Sequence, residues 1–162
     1  MTRELIGSFA ILLVAVIALL IFLSNRSVRK AQEKVIEKPQ GSLNAEHPYS
    51  VFYVSTVFTE SALTRVWAHG LGSRGKAFLA ITPDGISVTR VGEVGFLIPA
   101  GDLLGLTSAS ATIDKGVEKD GLLVLVWRLG DERVATHFRV VDVSKRREIE
   151  NLITETTGVE IE

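Results

Sequence analysis

Apolar residues are spread unevenly along this chain, and each change in their spacing predicts a different element. From residue 5 to residue 23 they form one unbroken run, LIGSFAILLVAVIALLIFL, with no charged side chain. At about 1.5 Å of rise per helical residue the run is roughly 28 Å long, close to the hydrocarbon thickness of a bilayer. Fourteen of its residues are Leu, Ile, Val or Phe, and each contributes roughly −0.3 to −0.6 kcal/mol to membrane insertion. Gly7 and Ser8 do not offset that sum. The run predicts a transmembrane helix over residues 5–24 behind a short flank, residues 1–4. A secretory signal peptide is the competing reading, and it calls for a more basic start, a shorter apolar stretch and a small-x-small cleavage site. Ile21, Phe22, Leu23, Ser24 and Asn25 offer no such site.

Past the run the texture becomes mixed and charged. Residues 25–48 begin with strong helix formers, and Arg29 and Glu33 stand at the four-residue spacing that supports a helical ion pair. The helix is therefore expected to continue as a solvated stalk until Pro39 and Gly41 stop it. Arg26, Arg29, Lys30, Lys34 and Lys38 follow the apolar run, whereas Arg3 alone precedes it. Such flanks are retained in the cytoplasm. The expected topology is a single pass through the cell membrane with the amino terminus outside and the rest of the chain cytoplasmic; a domain outside the cell is the rival. The charged segment reads either as a basic collar on anionic lipid heads or as a spacer that fixes topology. Its interspersed glutamates and its lack of Phe or Trp wedges favour the spacer.

From residue 49 to residue 162 the apolar positions fall into short runs separated by turn residues, the pattern of a mainly β domain. Strands are predicted over residues 51–58, 77–81, 86–90, 94–98, 103–113, 122–129 and 133–141. Thr82-Pro83-Asp84-Gly85 marks a hairpin, because proline pre-sets the first turn angle and glycine supplies the way out. Gly130-Asp131 marks a second. In the last strand Val134, Thr136, Phe138 and Val140 share one face and Arg133, Ala135, His137 and Arg139 the other, as in a half-buried antiparallel sheet. The period then changes again. Ile149, Leu152, Ile153 and Thr156 recur at helical spacing after Asp142 or Ser144, either of which can cap, and Gly158 lies where a helix ends. Lys145, Arg146 and Arg147 occupy the first turn of that helix, an end where cations are slightly unfavourable.

Composition narrows the chemistry. Beyond the apolar run about 140 residues remain, enough for one domain with its own core. Cysteine is absent, so no disulfide, thiolate metal site or cysteine nucleophile exists. From Tyr49 onward twelve Lys or Arg face fifteen Asp or Glu. Nucleic-acid-binding modules usually carry the opposite sign, which argues against such a partner.

The element order, about seven short antiparallel strands closed by one terminal helix, is that of the pleckstrin-homology superfold. The segments GKAFLAITPDGISVTR (residues 75–90), FLIPAGDLLGL (96–106) and LLVLVWRL (122–129), with the closing helix, resemble an actinobacterial membrane-anchored protein carrying a bacterial PH-like domain. The resemblance covers about two-thirds of the chain plus the anchor, and none of its segments is a catalytic signature. It implies an antiparallel sheet or barrel, in a family whose members are of uncharacterised biochemical activity.

Several motifs remain to be weighed. Gly70-Leu71-Gly72-Ser73-Arg74-Gly75-Lys76-Ala77 satisfies both GxGxxG and GxxxxGK, but Ala77 stands where a magnesium-binding hydroxyl belongs. The residues that follow, AFLAIT, read as a strand rather than the helix such loops need. His47, His69 and His137 have no ligand spacing, and no HExxH occurs. The acidic loop 114–121 lacks the glycine at the sixth position of a calcium loop, and Leu125 stands where its bidentate glutamate should be. Trp67 and Trp127 are expected in the core or at a barrel end. No catalytic residue, cofactor or metal is therefore expected. Arg74 and Lys76 resemble, in charge only, the basic loop of phosphoinositide-binding PH domains. Together with Lys145, Arg146 and Arg147 they are the candidate contacts for a lipid headgroup or a partner. The resulting expectation is a membrane-anchored adaptor that binds a protein or peptide; the alternative is lipid-headgroup or small-ligand binding at the inner leaflet.

Overall fold

The computed structural model describes residues 2–46, 49–109, 122–140 and 142–159. His47, the acidic loop 114–121 and the part of the expected 103–113 strand beyond Ala109 lie outside the described residues.

A single helix, α1, runs from Thr2 to Val35. Its apolar portion has a mean hydropathy of 3.1 and none of it is buried, so its length and composition suffice to cross a membrane. Side chains such as Ile11, at 73 % exposure, face outward all round the helix. The helix ends earlier than Pro39, the expected stop. Ile36, only 5 % exposed, turns into the domain core, and burying such a side chain stabilises by about 1.5–3 kcal/mol. The chain beyond it also lies against the domain. Gln40 O accepts from Leu97 N at 2.8 Å, and Leu43 N donates to Ser87 Oγ at 2.9 Å. The segment expected to be a solvated stalk and linker is thus tied to the domain at Ile36, Gln40 and Leu43, while Glu37, Lys38, Gly41 and Asn44 between these points are exposed.

Eight strands follow: β1 Tyr49–Phe58, β2 Ser61–Arg65, β3 Gly75–Thr82, β4 Gly85–Arg90, β5 Phe96–Pro99, β6 Leu103–Ala109, β7 Leu122–Leu129 and β8 Glu132–Arg139. They form one antiparallel sheet in the order β5-β4-β3-β1-β8-β7-β6, with β2 attached to β1. The hairpin at residues 82–85 is present. Gly85 adopts φ 139, and a Cβ there would lie 2.1 Å from Ile98 O, so both conformation and space demand glycine. The expected strand at 94–98 begins later, at Phe96, because Val94 points to solvent.

The core lies on the face formed by Tyr53, Leu79, Val88, Phe96, Leu125, Trp127, Val134 and Phe138. Tyr53 meets Phe96 and Phe138 edge-on at 6.1 and 5.7 Å between centroids, and Phe96 stacks on Trp127 at 6.0 Å. The reverse face of β8 departs from the half-buried expectation: Ala135 and His137 are buried as well as Val134 and Thr136. Ala135 joins Val54, Val57, Leu122 and Val124 in a second, smaller cluster that removes this part of the outer face from water.

The closing helix, α2, spans Val143–Thr157, capped by the Asp142 side chain and ended at Gly158. Ile149 and Ile153 are fully buried. Tyr49 OH donates to Glu148 Oε1 at 2.8 Å and so ties the start of β1 to α2.

Candidate functional site

The loop between β2 and β3 is the most specifically built part of the molecule, and α1 helps to build it. Gln32 supplies the contacts. Its Oε1 accepts from the backbone N–H groups of Trp67 and Ala68 at 2.6 and 3.2 Å, while its Nε2 donates to Arg65 O at 3.2 Å. A side chain of the long helix thereby satisfies donors at the start of the short 3₁₀ turn Ala68–Gly70 that would otherwise be orphaned. One turn on, His69 Nε2 donates to Ile36 O at 3.0 Å. His69 holds the left-handed conformation, φ 53, that this contact accompanies.

Trp67 is held from several sides. Gly72 packs beneath its ring so closely that a Cβ would lie 2.5 Å from Trp67 Cε3, and the Arg65 guanidinium lies 6.0 Å from the ring centroid. Trp67 remains 37 % exposed. Behind the loop, Arg90 is buried to 7 % exposure. Its Nη2 donates to Gly70 O and Ser73 O, each at 2.9 Å, and its guanidinium stands 4.4 Å from the Tyr53 ring centroid. The glycine-rich string thus points two of its carbonyls at a buried cation and leaves as strand β3. Phosphate cradles require N–H groups aimed outward from a helix start.

Beneath Arg90 runs a one-way chain of hydrogen bonds. Tyr53 OH donates to Leu71 O at 2.6 Å. With that proton committed, Thr56 Oγ1 must donate to Tyr53, 2.7 Å away. Thr136 Oγ1 then donates to Thr56 at 2.8 Å, and Trp127 Nε1 donates to Thr136 at 2.9 Å. Burial pushes the Tyr53 phenol up from its ordinary value, which keeps it a donor.

The face of α1 turned toward this loop forms a crevice of about 480 Å³, lined by Phe22, Asn25, Arg26, Arg29, Lys30, Glu33, Trp67 and Ser73. Arg29 Nε donates to Glu33 Oε1 at 2.8 Å and holds that carboxyl below its ordinary range.

The structure places the expected contacts at two locations. Arg74 and Lys76 are exposed at the start of β3, next to Ser73 of the crevice wall, with Lys76 Nζ 5.1 Å from the Phe78 ring. Lys145, Arg146 and Arg147 lie in the first turn of α2, where Lys145 pairs with Glu148 at 3.3 Å and Arg146 with Glu150 at 2.8 Å. Carboxylates one turn along the same helix meet two of these three charges. The crevice on α1 was missed at the level of sequence, although Phe22, Asn25, Arg26, Arg29, Lys30 and Glu33 repeat at helical spacing. That stripe was the available signal.

A family model described as Bacterial PH domain-like matches residues 32–154. The chain belongs to the bacterial PH domain-like family. The match opens at Gln32, the residue that docks α1 on the sheet, and it ends within α2. No match to the chain was found among curated proteins. An antiparallel sheet of eight strands with a closing helix is consistent with the PH-like fold, and family membership suggests a protein- or lipid-binding module.

Proposed function

We propose that this PH-like protein is a non-catalytic recruitment module, held by α1 in the cell membrane with its domain at the cytoplasmic face, and that it binds an extended segment of a protein partner. The observation that carries the reading is the unequal state of the two sheet edges. At β5 the edge is partly covered by the chain itself through Gln40 and Leu97. At β6, among the described residues, pairing is with β7 alone. A strand at a sheet edge is a template for an added strand. The basic flank from Arg26 to Lys38 supports the cytoplasmic side. The non-catalytic reading rests on the absence of cysteine, HExxH and any nucleophile elbow from the sequence.

The test is proximity cross-linking in cells with the full chain, with a chain ending at residue 48, and with Leu104→Lys, which sets a charge on the exposed side of β6. A partner captured by the first and lost from both others is expected. Capture of the same proteins by the truncated chain defeats the reading.

A further inference from the structure

We propose that the crevice between α1 and the β2–β3 loop is a binding site for the headgroup of an anionic phospholipid drawn from the leaflet that faces the domain. The inference rests on α1 crossing a membrane, as in the proposed function, but not on which side the domain lies.

Depth selects the ligand. Counting from Leu23, the last residue of the apolar run, Arg26 lies about 4.5 Å and Lys30 about 10 Å further along the helix axis. The headgroup layer is about 5–8 Å thick on each side of the hydrocarbon core. The Arg26 end of the crevice therefore lies at phosphate depth, with Arg29 and Lys30 just beyond it, where a headgroup extends into water. Phe22, within the apolar run, lines the crevice together with the cations that follow it along α1, and Trp67 lines it from the domain side. Tryptophan is the residue that favours this interface, and here the docked domain supplies it.

Charge selects the anion. The crevice walls carry Arg26, Arg29 and Lys30 against one carboxylate, Glu33, which is already paired with Arg29. The domain as a whole has more acidic than basic residues from Tyr49 on, so this concentration of positive charge is local. Arg90, whose hydrogen-bond partners are two carbonyls, adds a buried positive charge behind Ser73. Arginine forks match phosphate oxygens in pairs, and Lys30 acts as a point charge beside them. The walls are also fixed in advance. Gln32 pins the Trp67 and Ala68 backbone, Gly72 seats the Trp67 ring, and Arg29 is held by Glu33. An acidic peptide would have to enter a crevice bounded by Phe22 at membrane depth, which favours the lipid.

The test uses the full chain reconstituted in phosphatidylcholine vesicles, with a minor fraction of either phosphatidylglycerol or phosphatidylcholine brominated on its acyl chains. Fluorescence quenching reports which lipid sits beside Trp67. The chain has two tryptophans, and Trp127 is buried in the domain core at 1 % exposure, so Trp67→Phe identifies the responding signal. Brominated phosphatidylglycerol is expected to quench Trp67 beyond its bulk fraction and brominated phosphatidylcholine only in proportion to it. The excess should fall about fivefold with Arg26→Gln or Lys30→Gln, at about one cation's worth of surface attraction each. Both side chains are exposed, so the fold should tolerate these changes. Raising salt on the unaltered chain should erase the excess without any substitution. Vesicle flotation of the chain with equal quenching by the two lipids overturns the headgroup site alone. Failure to float with the vesicles overturns the anchor and the site together.

Discussion

At the scale of single residues, the polar groups inside the domain core are the most exacting feature. Thr136 both accepts from Trp127 and donates toward Thr56. Thr136→Val keeps its shape but orphans the buried indole N–H, and leaving such a group unsatisfied costs about 1–3 kcal/mol. Denaturant unfolding of the full chain in detergent should show a loss of that size, and an unchanged midpoint would mean the chain of donors contributes nothing. His137 supplies a pH dependence. Burial lowers its folded-state value below the ordinary 6.5, so between those two values the unfolded chain binds more protons than the folded one. Its contribution is fully present above pH 6.5 and is lost as the pH falls toward the lowered value. Carboxyls held low by hydrogen bonds, Glu148 by Tyr49 and Lys145 among them, weaken the fold only below 4.5. Melting temperature should therefore drop between neutral pH and pH values near 5, and His137→Gln should flatten that drop. Sequence periodicity placed Thr136 on the core face beside Val134 and Phe138. Its partner Thr56 is eighty residues away, and no local pattern encodes that contact.

Elements were legible in proportion to how locally they are determined. The hairpin between β3 and β4 announces itself because Pro83 and Gly85 dictate the turn whatever surrounds them. The α2 helix does so because Ile149 and Ile153 recur at helical spacing between the Asp142 cap and Gly158. β2 left no trace: Ser61, Leu63, Thr64 and Arg65 show no buried alternation, and the strand exists through its pairing with β1. The end of α1 was misjudged for the same physical reason. Nothing in residues 30–38 forbids further helix, and the stop comes from burial of Ile36 against strands far along the chain. The candidate crevice combines both cases. Its α1 stripe could be counted from the sequence, whereas the meeting of that stripe with Trp67 depends on Gln32 reaching a loop more than thirty residues away.

At the scale of the whole molecule, α1 and the β domain share contacts and are not separable at the point where the β texture begins. A chain starting at residue 31 keeps Gln32, Ile36 and the Gln40–Leu97 bond, whereas one starting at residue 49 loses all three. The longer one should be more stable by at least about 2 kcal/mol, the burial of Ile36 alone accounting for most of it. Equal unfolding midpoints would show that the contacts add nothing.

The Gln40–Leu97 bond leaves the two sheet edges unequally open to outsiders. Because residue 40 and β5 belong to one chain and the folded strands between them hold them together, the covering segment acts as a built-in competitor whose effective concentration is on the order of millimolar or above. A free peptide seeking the β5 edge must first displace it, so weak and abundant sequences are screened out there. Strangers, including other copies of this chain in a crowded membrane, are left with β6.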